Sequence, residues 1–277
     1  MHHTAKLWRS IDPHNTLCVM TAEPRVETAP EWLQLGDSLL WPLVGMAAAA
    51  CRNNKLSTPD LSALGELAMF HHAGCLEASG SINRRGKHSV AVGLVRQSVE
   101  ALSIAEVSLQ EPAFAEPLLA DWKSGKKSHG EVRRALEREI WPLYGKGLWS
   151  EPWTEFYANL ARAVQPYAHY TPELQGWQFV ERAYDGSTTF IAEFGFETYD
   201  ALKASRVTLL HMLLTWMLGR ILLAKGSHPD ASARHQDILR LGTALSQSKL
   251  LFANGDWGSQ LAPHMLFKPG HSWRDDA

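Results

Sequence analysis

The sequence predicts an all-α fold, a helical bundle built on a long antiparallel helix hairpin, with a small β-hairpin near residues 177–196. Three observations carry that expectation. Apolar residues recur at helical spacing along most of the chain. Residues 207–224, VTLLHMLLTWMLGRILLA, form a nearly unbroken apolar helical run. Apolar residues make up 45% of the chain and charged residues 20%, the balance of a globular protein and not of a disordered one.

With 277 residues the chain fits one large domain or a core with an appended lobe. The first thirty residues carry the breakers Pro13, Pro24 and Pro30 and read as an irregular arm. Pro30 suits the opening of a helix from Glu31 toward Cys51, with Pro42 as a point of kinking. Residues 1–57 are thus an arm and first helix packing on the core. Thr58-Pro59-Asp60 is a stronger start, with a capping hydroxyl, a proline of preset φ and an acid at the positive helix end. That helix is expected to reach about Ser81. After the turn at 83–87, HSVAVGLVRQSVEALSIAEVSLQ starts near His88 and is apolar almost all round, the mark of an interior helix. Residues 59–110 therefore read as a helical hairpin.

Pro112 and Pro117 punctuate the next stretch. Ser128 and Glu131 have capping-box spacing before a helix to about Trp141. Ser150 is expected to open another helix, and Thr171-Pro172-Glu173 repeats the earlier start signal. Around Asp185-Gly186 the alternation in WQFVERAY and STTFIAEF suits a hairpin, though the first half equally suits an extension of the preceding helix. The central helix follows from about Tyr199, and Asp230 opens a last one to Leu251. The 58–251 core then gives way to an irregular tail, 252–277.

The formal net charge of −2 provides no global attraction to nucleic acid or an anionic membrane, so such binding requires a local patch. Three dispersed cysteines, Cys18, Cys51 and Cys75, with no signal-like apolar N-terminus, fit a reducing, cytoplasmic setting. The 207–224 run sits at the short limit for spanning a bilayer and carries His211 and Arg220, so it reads as a buried helix and no membrane partner is expected. Most tryptophans fall near expected helix ends, where a large ring packs one element on the next.

No phosphate loop, H-E-x-x-H or G-x-S-x-G pattern is present. His71-His72 with Glu66 and Glu77 lack the spacing of a bundle metal site, so one histidine is expected in the core, one in solvent, and no metal or cofactor. Two constellations stand out. Arg96 and Glu100 share a face of the interior helix, as an ion pair fixing register or as an arginine presented to an anion with Glu100 orienting it. Arg162 and His169 lie seven positions apart, almost in line on a continuous helix. A histidine that titrates near neutrality can move a ribose 2′-hydroxyl proton, while an arginine forks onto the phosphate. Lys126, Lys127, Arg133 and Arg134 add a basic run around the capped helix start, a candidate phosphate contact or a solvated helix face.

A long helix hairpin followed by a helix ending in Arg, six residues and His resembles the HEPN (higher eukaryotes and prokaryotes nucleotide-binding) superfamily. The phrase KHSVAVGLVRQSVEAL, with Arg96 and Glu100, also looks like a helix of bacterial HEPN-like proteins. The resemblance covers roughly residues 60–170. It implies a helical, usually dimeric protein and metal-independent endoribonuclease activity in toxin–antitoxin or antiviral defence, acting on RNA. Arg162 would clamp phosphate, His169 would be the acid/base, and Arg96 and Glu100 would support them. The chain departs from the pattern at Ala163, where a polar residue often stands, and at Pro166, which disfavours helix at Gln165. The other class of function on the same architecture is a non-catalytic binding or scaffold protein acting through protein–protein contacts.

Overall fold

Side chains at the helix starts fix where the elements begin. A computed structural model of the chain describes residues 29–184, 187–192, 199–225, 233–251 and 273–276. The arm before residue 29, most of the tail beyond 251 and the expected start at Asp230 lie outside them. The described residues are all-α apart from one two-stranded pair. Helices α1 (Glu31–Asn53), α2 (Pro59–Arg84) and α3 (His88–Ser108) come first. Then follow α4 (Pro112–Lys123), α5 (His129–Glu139), α6 (Trp153–Val164) and α7 (Pro172–Trp177). Strands β1 (Phe179–Tyr184) and β2 (Ser187–Ala192) precede α8 (Ala201–Lys225) and α9 (His235–Ser246). The strands pair antiparallel, Phe179 opposite Ala192 and Tyr184 opposite Ser187.

The Thr58 hydroxyl accepts the Leu61 amide at the head of α2. Ser128 and Glu131 complete a reciprocal capping box at α5, and Thr171 caps α7. Helix α2 runs past Ser81 to Arg84, ending where Gly86 turns with φ +75°, a conformation that glycine adopts without strain. Helix α4 was not legible behind its two prolines. Pro112 occupies the first turn, where no N–H is needed, while Pro117 sits within the helix. Helix α6 starts at Trp153 and not at Ser150, whose φ is +72°. Pro152 holds the cap position, and the Glu151 carboxylate accepts the Trp149 amide at 2.7 Å.

Helices α2 and α3 pack along their length, α1 lies on α2, and α8 fills the centre against α1, α2, α3 and α9. By length and composition α8 could cross a membrane, yet 78% of its most apolar window is buried inside the fold. Its Arg220 is accommodated between the Trp153 and Trp216 rings, 5.5 and 5.4 Å from their centroids, and donates to the Tyr144 carbonyl. Trp32, Trp141, Trp153, Trp177 and Trp216 are buried between elements, whereas Trp41 is half exposed.

A buried polar layer joins α2, α3 and α8. His72 Nδ1 lies 2.7 Å from the Ser98 hydroxyl and 3.1 Å from the Ser98 carbonyl. Ser79 gives its own proton to the Ala91 carbonyl and so accepts from His211 Nε2 at 2.8 Å. His88 Nδ1 donates to the Asn83 side-chain oxygen at 2.6 Å, and its Nε2 accepts the Asp200 amide at 3.0 Å. Each of the three imidazoles is held through at least one ring nitrogen, His72 Nε2 being left without a partner, and burial is the dominant cause of their depressed basicity.

Candidate functional site

Arg96, on the α3 face away from α8, is the centre of the site. Its Nη2 meets Glu100 Oε1 at 2.6 Å and the Gln165 side-chain oxygen at 3.2 Å. The arginine side chain is 12% exposed and that of Glu100 39%, so the pair straddles the boundary between core and solvent. The Arg96 Nε is buried and has no hydrogen-bond partner, an unmet donor of the kind that a ligand or ordered water satisfies.

The opposite wall is the turn between α6 and α7. Helix α6 ends at Val164, residues 165–168 form a single 3₁₀ turn, and His169 follows in extended backbone. Pro166 causes the break, since it removes an N–H and restricts Gln165. The expected alignment of Arg162 and His169 on one helix is therefore replaced by a bend. Arg162 is exposed in the last turn of α6, while His169, beyond the bend, lines the same cleft as Arg96. The bend is anchored by Tyr167, whose hydroxyl accepts the Trp177 indole N–H at 3.0 Å. The Thr171 hydroxyl also donates to the Pro166 carbonyl at 2.8 Å.

Between these walls lies a cleft of about 1160 Å³ lined by Arg96, Glu100, His71, His129, Gln165 and His169, with Leu64, Val90 and Leu94 on its apolar side. Arg162 is not among its lining residues. A smaller pocket of about 220 Å³ continues behind Arg96, shares His129, Gly130 and Gln165 with the cleft, and adds Ser103 and Arg133. The capping box of α5 fixes His129 at the first helical position, where it lies 2.7 Å from the Glu100 carbonyl through Nε2. The carbonyl accepts only, so Nε2 bears the proton and Nδ1 keeps a lone pair. Burial lowers the pKa of His129, partly offset by the Glu100 carbonyl and carboxylate.

The basic run divides. Arg133 lines the small pocket, and Lys127 pairs with Asp121. Lys126 and Arg134 are exposed and line neither cavity. His72 is fully buried and His71 exposed. Among the described residues, no group of three His, Cys, Asp or Glu is arranged to hold a metal ion. Two members of the site were not singled out from the sequence. Gln165 is held at the bend by the proline that follows it. His129 falls within the stretch of the basic run, and its place beside the Ser128 cap, four positions before Arg133, is a legible signal.

No protein-family model matches the chain, and neither does any curated protein or solved structure.

Proposed function

We propose that this chain is a HEPN-like helical protein that binds RNA at the Arg96 cleft and cleaves it without a metal ion. The observation that carries the reading is that one cleft gathers a guanidinium with an unmet donor, Arg96, and an exposed imidazole, His169. Arginine stabilises charge building on a phosphoryl group, and an accessible histidine exchanges the 2′-hydroxyl proton. In this arrangement the phosphate contact falls to Arg96, oriented by Glu100, and His169 is the acid/base. Arg162 supports the strand from outside the cleft, alongside Lys126 and Arg134. His129, proton-bearing on Nε2 toward Glu100, holds the arginine and the α5 terminus in register. The biological setting implied by the resemblance is stress or phage defence in the cytoplasm.

The test is single-turnover cleavage of a structured RNA by purified protein in excess chelator. His169→Ala is expected to reduce cleavage by about two to four orders of magnitude and leave the melting temperature nearly unchanged, since the ring is exposed. Equal cleavage by both proteins, or none by either, sinks the reading.

A second reading, a protein-binding scaffold or homodimer, is favoured by one observation. Leu67, Phe70 and Val90 are 63%, 50% and 56% exposed on the α2–α3 hairpin, an apolar surface of the kind that marks contact sites. Phe70→Lys is then expected to shift the sedimentation coefficient from dimer to monomer. An identical coefficient for both proteins removes that reading.

A further inference from the structure

The small pocket behind Arg96 has a lining unlike that of the cleft it opens from. Two arginines, Arg96 and Arg133, line it together with Gln165 and with Ser103, whose hydroxyl is bonded to the Val99 carbonyl and the Tyr157 hydroxyl, and no carboxylate belongs to its wall. Glu100 lines the larger cleft only. Arg133 forms no ion pair among the described residues, so its charge is not already spent within the fold. The Ser128 hydroxyl takes the Glu131 amide, which leaves the His129 and Gly130 amides of the first turn without intrahelical acceptors. These add the positive end of an eleven-residue helix to the arginines.

The pocket is also closed at the back. Val99, Ser103, Ala161 and Val164 are core residues, between 0% and 3% exposed, and they form its inner wall. An internal phosphodiester needs a path for the chain on both sides of the phosphorus. A pocket floored by core residues gives the chain no path through its floor. A terminal phosphate monoester needs no second exit, and it carries about −1.5 to −2 charge near neutrality against about −1 for a diester. Two arginines, one of them shared with Glu100 outside the pocket, match the larger charge.

We infer that this pocket is a subsite for the terminal phosphate monoester of a nucleic-acid strand or nucleotide, with the rest of the ligand leaving through the mouth shared by Arg96, His129, Gly130 and Gln165. The inference rests on the proposed reading of the cleft as an RNA site and adds the end of the strand as the group recognised. The terminal phosphate supplies the anchor, and the adjoining nucleotides lie in the larger cleft beside His169.

The test compares an internally labelled, uncleavable 2′-O-methyl oligoribonucleotide in three forms: 5′-phosphate, 3′-phosphate, and hydroxyl at both ends. Fluorescence anisotropy reads the affinity of the full chain for each. One phosphorylated form is expected to bind at least about tenfold tighter than the hydroxyl form, and which one does so identifies the end. Arg133→Gln is expected to remove that advantage, with circular dichroism confirming an unchanged melting curve. Millimolar inorganic phosphate is expected to remove it in the unaltered protein, which provides a check independent of any substitution. Equal affinity for all three forms overturns the inference while leaving RNA binding in place. Binding of none overturns both. An advantage that survives Arg133→Gln and free phosphate together places the terminal group elsewhere and also overturns it.

Discussion

Arg96→Ala is expected to lower RNA cleavage by about two to three orders of magnitude, the usual consequence of removing one preorganised donor from charge developing in a reacting group. The side chain makes its contacts in two directions. It takes Glu100 Oε1 at 2.6 Å on its own helix and the Gln165 oxygen at 3.2 Å on the bend that carries His169. Alanine removes both the phosphate contact and the tie between α3 and the bend. The cost in stability is expected to be smaller, about 1–2 kcal/mol. Glu100 is 39% exposed, so the carboxylate left behind is hydrated and not stranded in the core. Arg96→Lys keeps the charge without the planar fork, and recovers stability more than cleavage. Urea denaturation and single-turnover cleavage on the same preparations separate the two effects. A variant that loses stability heavily but cleaves at the original rate would make Arg96 a purely structural residue.

Acid is expected to unfold the protein between about pH 6 and pH 4, with the buried histidines as the cause. Burial pushes His72 and His88 down to about 4 and His211 to about 3 from an ordinary value of 6.5. A base whose folded pKa is depressed contributes stability that is complete above its unfolded pKa. That contribution is lost as pH falls through 6.5 toward the folded values. Each group can forfeit up to about 3 kcal/mol by pH 4, and three together approach the whole stability of a typical domain. The surroundings of the rings explain why protonation has nowhere to go. His72 Nε2 is buried without a partner, so a proton there gains no acceptor. His88 Nε2 already accepts the Asp200 amide, and a charged His211 would repel a charged His72.

Glu106 acts with the opposite sign. Burial raises its carboxyl to about 7, despite the Trp141 indole N–H at 3.0 Å. Its contribution is therefore present in acid and lost as pH rises from 4.5 to about 7. One carboxyl offsets part of what three imidazoles lose, and the net slope still favours neutral pH. Thermal melts from pH 7.5 to pH 4.5 are the check. A melting temperature constant across that range would contradict the assignment of all three rings as neutral and buried.

The helical hairpin, the capped starts at Thr58, Ser128 and Thr171, and the buried apolar helix α8 were legible because each depends on local chemistry. Hydrogen bonding at the helix end and apolar period are written within a few residues. Helix α4 was not, because a proline tolerated in a first turn and one inside a helix look alike in a sequence. The site was half legible. Arg96 and Glu100 were found from a charged pair on an apolar helix, and their contact is intrahelical. The bonds from Arg96 to Gln165 and from the Glu100 carbonyl to His129 join α3 to two segments some 30 to 70 positions along the chain, and His169 lines the same cleft. No spacing rule expresses that. Pro166 was the informative residue, since α6 ends at Val164 just before it and His169, beyond the turn, lines the Arg96 cleft while Arg162 does not.

The most direct test of the central claim, that the Arg96 cleft is where RNA is held, is a binding titration at low salt. Unaltered protein, Arg96→Gln and Arg162→Gln are each added to a labelled, uncleavable single-stranded oligoribonucleotide. The account predicts binding that weakens with added salt, a loss of about tenfold or more for Arg96→Gln and a change of less than about threefold for Arg162→Gln. An affinity insensitive to Arg96 but lost with Arg162 would place the RNA on the outer face of α6 and contradict the account.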